Sequence, residues 1–101
     1  MVSNAQDIHL LLQNNGMQFK QFGVVKLGLF GSFASNHANS SSDVDLLVEF
    51  AGGKKTFKNY MGLANFTEQL LGRPVDLVTK ESLSPHIGPH ILKEVQYVQI
   101  A

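Results

Sequence analysis

Residues 27–50 read LGLFGSFASNHANSSSDVDLLVEF: an apolar run that stops at Gly31-Ser32, a polar excursion over residues 35–42, and a second run opening on Asp43-Val44-Asp45. The first run belongs to Val24–Phe30 (VVKLGLF), β-branched and apolar between Gly23 and Gly31, the pattern of a mostly buried strand. The second alternates: Val44, Leu46, Val48 and Phe50 fall on one face, and Asp43, Asp45, Leu47 and Glu49 on the other. One face packs while the other presents carboxylates.

Upstream, Ile8, Leu11 and Leu12 follow Ser3 or Asn4 as a candidate cap, so residues 4–14 predict an amphipathic helix interrupted at Asn14-Asn15-Gly16, with a short second turn to Phe22. Downstream, Gly52-Gly53 breaks the second strand and Thr56 can cap a helix. The apolar stripe of that helix is Phe57, Met61, Ala64 and Leu71, and Gly72 is its left-handed stop. Pro74 then admits a short strand over residues 75–78, where Asp76 faces away from Val75 and Leu77. Ser84-Pro85 and Pro89 punctuate the tail, and the helical spacing of Ile91, Val95 and Val98 predicts a final packing helix. This alternation of helices and strands predicts a small α/β (or α+β) sheet with helices covering one face.

The 101 residues set a limit of one domain, residues 1–101, with a single modest core; a large second reactant must then bind outside it. Eight Lys+Arg balance eight Asp+Glu, and Arg73 is the only arginine, so no broad basic surface exists for nucleic acid or anionic membrane. Without cysteine there is no disulfide framework and no thiolate metal site. Residues 1–13 carry Asp7 and His9 and no basic leader, and no apolar run approaches the ~20 residues of a membrane span; the expectation is a cytoplasmic protein.

Chemistry concentrates in the opening stretch. Asp43 and Asp45, one residue apart on a strand, project from the same face about 6.6 Å apart along the backbone, where their oxygens can converge on one cation. Hard divalent ions such as Mg²⁺ bind through a few carboxylates plus substrate phosphates. Gly31-Ser32 ends the preceding strand at a turn whose free N–H groups and hydroxyl suit phosphate oxygens. An Asp-x-Asp pair alone is commonly a solvated strand face. Gly-Ser, ten residues, then Asp-x-Asp is far more specific, because it joins a phosphate cradle to a metal-binding strand.

Gly31-Ser32 with Asp43-Val44-Asp45, followed by Asp76 in PVDLV, resembles the polymerase-β-type nucleotidyltransferase superfamily. The stretches LGLFGSFA, SDVDLLVEF, LGRPVDLVTKESL and ILKEVQYV are most similar to the minimal nucleotidyltransferases, antitoxin partners of HEPN ribonuclease toxins. The resemblance implies a small mixed sheet with flanking helices and transfer of AMP from ATP to a tyrosine of the partner toxin. It implies Asp43, Asp45 and Asp76 as catalytic residues and Mg²⁺ ligands, with a two-metal site, and Gly31 and Ser32 as nucleotide-binding residues. It further implies a hetero-oligomer with the toxin.

The chain departs from the family at Ser35, where many relatives carry arginine, and at His86 and His90, which stand where basic side chains are common. Two other functions fit the same residues: an antitoxin that masks its toxin by complex formation alone, and transfer of AMP to a small molecule of aminoglycoside type. Bland readings stand beside several residues. Asp76 could be a surface carboxylate paired with Arg73 or Lys80; Gly88-Pro89 argues against a metal pair at His86 and His90; Lys54, Lys55 and Lys58 read as a solvated helix start.

Overall fold

The computed structural model describes residues 2–100; Met1 and Ala101 lie outside them. Helix α1 (Ala5–Asn14) starts where the Asn4 side chain accepts the Asp7 N–H at 2.8 Å, satisfying one free donor of the first turn. Ile8 and Leu12, one turn apart, are fully buried. The chain breaks at Asn15 as expected, and α2 (Gly16–Gln21) buries Phe19. There follow β1 (Val24–Phe30), α3 (Gly31–Ala34), β2 (Val44–Phe50), α4 (Phe57–Leu71), β3 (Val75–Thr79), a 3-10 turn (Lys80–Ser82), α5 (Gly88–Glu94) and β4 (Gln96–Val98).

The strands form one mixed sheet in the order β3-β2-β1-β4. β1 runs antiparallel to both β2 and β4, whereas β2 and β3 are parallel. Parallel neighbours cannot be joined by a tight turn, and α4 supplies the crossover between them. Leu27 and Leu29 of β1, Val44, Leu46 and Val48 of β2 and Leu77 of β3 build the core with Ile8, Leu12, Phe19, Leu63 and Leu71 from the helices. Phe19 meets Phe66 edge to face at 5.4 Å, locking α2 to α4.

Two sequence expectations fail here. The final helix ends at Glu94, and residues 96–98 form β4 instead, pairing Leu27 with Val98 and Leu29 with Gln96. Ile91, Val95 and Val98 fit a helical period, but the free edge of β1 offers unpaired backbone groups. Pairing with that edge satisfies Gln96–Val98 better than one more turn would. Val95, just past the helix, packs over Gly28 on the sheet face opposite the main core.

The second correction concerns α4. Phe57 is 83% exposed and Met61 41%, so the first half of the expected stripe faces outward, whereas Ala64 packs against the core and Leu71 is fully buried. The buried positions are Leu63, Thr67 and Leu71. Thr67 conceals this face from a hydropathy reading; its hydroxyl donates to the Leu63 and Ala64 carbonyls at 3.0 Å, which makes full burial tolerable. The expected ends hold: the Thr56 hydroxyl accepts the Asn59 N–H, and Gly72 takes the left-handed conformation at φ 70°. Leu63→Ala should therefore cost about 2–5 kcal/mol in urea unfolding, while Met61→Ala should stay within about 0.5 kcal/mol. Equal losses at the two positions would mean that α4 is rotated from the orientation described.

Candidate active site

Strand β2 is paired on both sides, and its register sets the site. Asp45 stands opposite Phe30 in the antiparallel pair with β1 and opposite Asp76 in the parallel pair with β3. Gly31, one residue past Phe30, therefore arrives beside the Asp45 side chain. It holds φ 77°, and a Cβ there would collide with the Asp45 carboxylate. Glycine is required twice over, by conformation and by space. Helix α3 begins at Gly31-Ser32, and the left-handed Asn36 (φ 64°) folds the chain back, so that the Ser32 carbonyl accepts the His37 N–H at 2.8 Å.

All five residues singled out in the sequence thus lie at one end of the sheet: Gly31 and Ser32 after β1, Asp43 and Asp45 at the start of β2, and Asp76 at the start of β3. Asp43 and Asp76 are exposed and Asp45 is partly buried. Among the described residues, no three His, Cys, Asp or Glu side chains converge tightly enough to form a metal cage on their own. A Mg²⁺ site completed by substrate phosphates does not require such a cage, since one or two carboxylates suffice.

The electrostatics are those of crowded like charge. Burial, then the neighbouring Asp76 and Asp43 carboxylates, push Asp45 up to about 6. No Lys, Arg or His among the described residues forms an ion pair with any of the three. Lys80 reaches Glu49 at 3.8 Å rather than Asp76, and Lys55 reaches Glu81 at 3.2 Å, so the bland pairing of Asp76 does not form. A cleft of about 400 Å³ between Lys20 and Lys54 lies at the far end of β1, away from the carboxylates. The acidic group itself stands on an open face.

The role of Arg73 was not legible in the sequence. It is buried and turned away from Asp76: its Nε donates to the Val2 carbonyl at 2.8 Å, and one terminal nitrogen donates to the carbonyls of Asn39, Ser40 and Ser42 at 3.3, 3.1 and 3.1 Å. The guanidinium also lies 4.9 Å from the ring centre of Phe33 in α3. Nearby, the Val44 N–H donates to the Pro74 carbonyl at 3.0 Å, the Val75 N–H to Glu68 Oε2 at 3.0 Å, and the Tyr60 hydroxyl to the Leu77 carbonyl at 2.6 Å. The start of β3 is thus fixed on three sides. Only the position of Arg73, three residues before Asp76 and at the end of α4, hinted at any of this.

The Ser35 hydroxyl donates to the Ser32 carbonyl at 3.3 Å, and His37 Nδ1 lies 3.1 Å from the same hydroxyl. His86 sits in the turn before α5 and His90 within it, both exposed, so no continuous helix joins them.

The raised Asp45 fixes a pH dependence. The unfolded carboxyl ionises near 3.8 and the folded one near 6, so the folded state holds the proton longer. Stability from this group therefore falls as pH rises between those values and stays low above them. In the absence of divalent ions Asp45→Asn should be more stable than wild type at pH 8. After discounting for solvent screening of a half-exposed group, the gain is about 1 kcal/mol, a few degrees in Tm. The gain should vanish below pH 4, and a pH series of thermal melts reads it directly. A gain that persists at pH 4 would place its origin elsewhere.

Comparison with known proteins agrees with this geometry. The nucleotidyltransferase domain family matches residues 14–98. The protein adenylyltransferase MntA of Thermococcus cleftensis is 43% identical over 79 residues, covering 78% of this chain and 79% of that protein. A solved structure assigned to the minimal nucleotidyltransferases superposes with a TM-score of 0.81 at 30% identity, covering 93% of this chain and 95% of the other. A chain from a solved complex of tri-AMPylated Shewanella oneidensis HEPN toxin with an MNT antitoxin shares the fold, at a TM-score of 0.63 and 20% identity, covering 90% of this chain and 71% of that one. With its mixed sheet, its Gly-Ser turn and its strand-borne carboxylates, the chain belongs to the nucleotidyltransferase domain family, as a minimal nucleotidyltransferase of the polymerase-β superfamily related to MntA.

Proposed function

We propose that this protein is a Mg²⁺-dependent protein adenylyltransferase that acts as an antitoxin, transferring AMP from ATP to a tyrosine hydroxyl of a HEPN-type toxin in the cytoplasm. The observation that carries the reading is the juxtaposition of Gly31, Asp45 and Asp76 across three adjacent strands, with the carboxylates unpaired and Asp45 held near 6. Its partner class is drawn from relatives: a protein adenylyltransferase at 43% identity, and an MNT antitoxin of the same fold in complex with an AMPylated HEPN toxin. Among the described residues, no helix is long and apolar enough to cross a membrane.

On this reading residues 1–101 act as one catalytic domain. Asp43 and Asp45 would hold Mg²⁺ on the triphosphate, and Asp45 with Asp76 would hold a second ion. An all-oxygen donor set with unneutralised charge fits such hard cations. When bound, these ions polarise the phosphoryl oxygens and favour the ionised acceptor hydroxyl. The Gly31 N–H and the Ser32 hydroxyl orient the outer phosphates. The tyrosine hydroxyl attacks the α-phosphorus and pyrophosphate leaves on the opposite side; in the absence of a second ion, Asp76, the exposed carboxylate at the edge strand, would accept the hydroxyl proton. The open face lets a protein acceptor reach the nucleotide.

The experiment is intact mass of a co-encoded HEPN-type partner after incubation with this protein, ATP and Mg²⁺. AMP increments are expected with wild type. A loss of at least about 100-fold in rate is expected for Asp43→Ala and Asp45→Ala, and no increment is expected after chelation with EDTA. An unmodified partner held in a stable equimolar complex would overturn catalysis in favour of masking, the reading that Ser35 in place of a cation favours. Full activity in both variants would remove the assignment of the carboxylates.

A further inference from the structure

Arg73 is the only arginine in the chain, yet the structure places it on backbone carbonyls rather than on a carboxylate. Burying a guanidinium is costly unless its donors are satisfied. Three of the carbonyls it engages belong to the polar excursion that delivers Asp43, those of Asn39, Ser40 and Ser42. That segment contributes little to the core and is otherwise tied mainly to itself: Asn39 Oδ1 accepts from the Ser41 N–H and hydroxyl at 2.9 and 2.8 Å, and Ser42 Oγ accepts the Asn39 N–H at 2.9 Å. Such a local knot fixes the shape of the loop but not its place on the protein. Arg73 supplies the attachment to β3, and its stacking on Phe33 extends the contact to the short helix that carries Ser32.

We propose that Arg73 is a positioning residue for the nucleotidyl-transfer site: it sets where Asp43 stands relative to Asp45 and Asp76 by clamping residues 39–42. Through Phe33 it couples that loop to the Gly31-Ser32 turn. The inference deepens the function proposed above and rests on the reading of Asp43 as a metal ligand. A lysine cannot reproduce the clamp, because one ammonium cannot donate at once to the Val2 carbonyl and to the loop carbonyls on its other side.

The test compares wild type, Arg73→Lys, Arg73→Met and Asp43→Ala, with Mn²⁺ as the probe ion. Free Mn²⁺ is followed by electron paramagnetic resonance, and loop order by amide hydrogen exchange. Arg73→Lys keeps the positive charge and the aliphatic stem, and it carries the test should Arg73→Met not fold. The expected result is a loss of about tenfold or more in Mn²⁺ affinity for the folded Arg73 variants, as for other residues that orient a ligand. Amide exchange should rise at residues 39–43 with the protection of β1 and β2 unchanged, and kcat should fall with little change in KM for the partner protein. Wild-type exchange at residues 39–43 in Arg73→Lys overturns the proposal, as does wild-type Mn²⁺ affinity in that variant. The reading of Asp43 is judged separately: equal Mn²⁺ binding by wild type and Asp43→Ala removes the metal assignment, and loop exchange alone then decides whether Arg73 is the clamp.

Discussion

The pairing of β2 with a neighbour on each side fixes Asp45 between Phe30 and Asp76. Its backbone cannot withdraw from either without breaking ladder hydrogen bonds, and its side chain must share space with Gly31 on one side and with a second carboxylate on the other. Burial first, then repulsion from Asp76 and Asp43, drives Asp45 up to about 6. Val44, Leu46 and Val48, all buried on the opposite face of the same strand, supply the packing that holds the charges in place. Removing water from three such side chains is worth several kcal/mol, enough to hold a crowded pair of carboxylates at the strand end.

That arrangement would be of little use if the connection before β2 were free to wander. Residues 35–42 are almost entirely polar and could not be held by burial. Hydrogen bonds perform the task instead, through the Asn39 turn and the buried Arg73 guanidinium. Arg73 follows directly on the Gly72 cap of α4 and precedes Pro74, whose carbonyl accepts the Val44 N–H. One short segment therefore ends a helix, receives the start of β2, anchors the loop and three residues later presents Asp76. The economy follows from the parallel β2-β3 pair, which brings the end of the crossover helix back to the same end of the sheet from which β2 sets out.

The open placement of the carboxylates bears on how the protein works. The apolar cleft near Lys20 lies at the opposite end of β1, away from the carboxylates. An exposed Asp76 beside a partly buried Asp45 suits a reaction in which the second reactant arrives as a macromolecular surface and completes the site.

Much of this was legible in residues 27–50 and 74–78. Strict alternation placed Asp43 and Asp45 on one face, glycine after an apolar run marked the turn, and PVDLV supplied the third carboxylate, because strand period and backbone sterics are local properties that side-chain pattern encodes directly. The face of α4 was misread because a buried threonine, bonded to its own helix, does not look apolar. The tail was misread because three apolar residues fit a helix and a strand edge alike, and only the presence of β1 chose between them. The amino-acid sequence by itself determined most of the elements, the Thr56 and Gly72 ends of α4 and the identity of the acidic cluster, all set by interactions within a few residues. Only the tertiary structure decided which carbonyls Arg73 engages, that Asp45 faces Asp76, and how far its proton affinity rises, because those depend on distances between segments 30 to 70 residues apart that no local pattern contains.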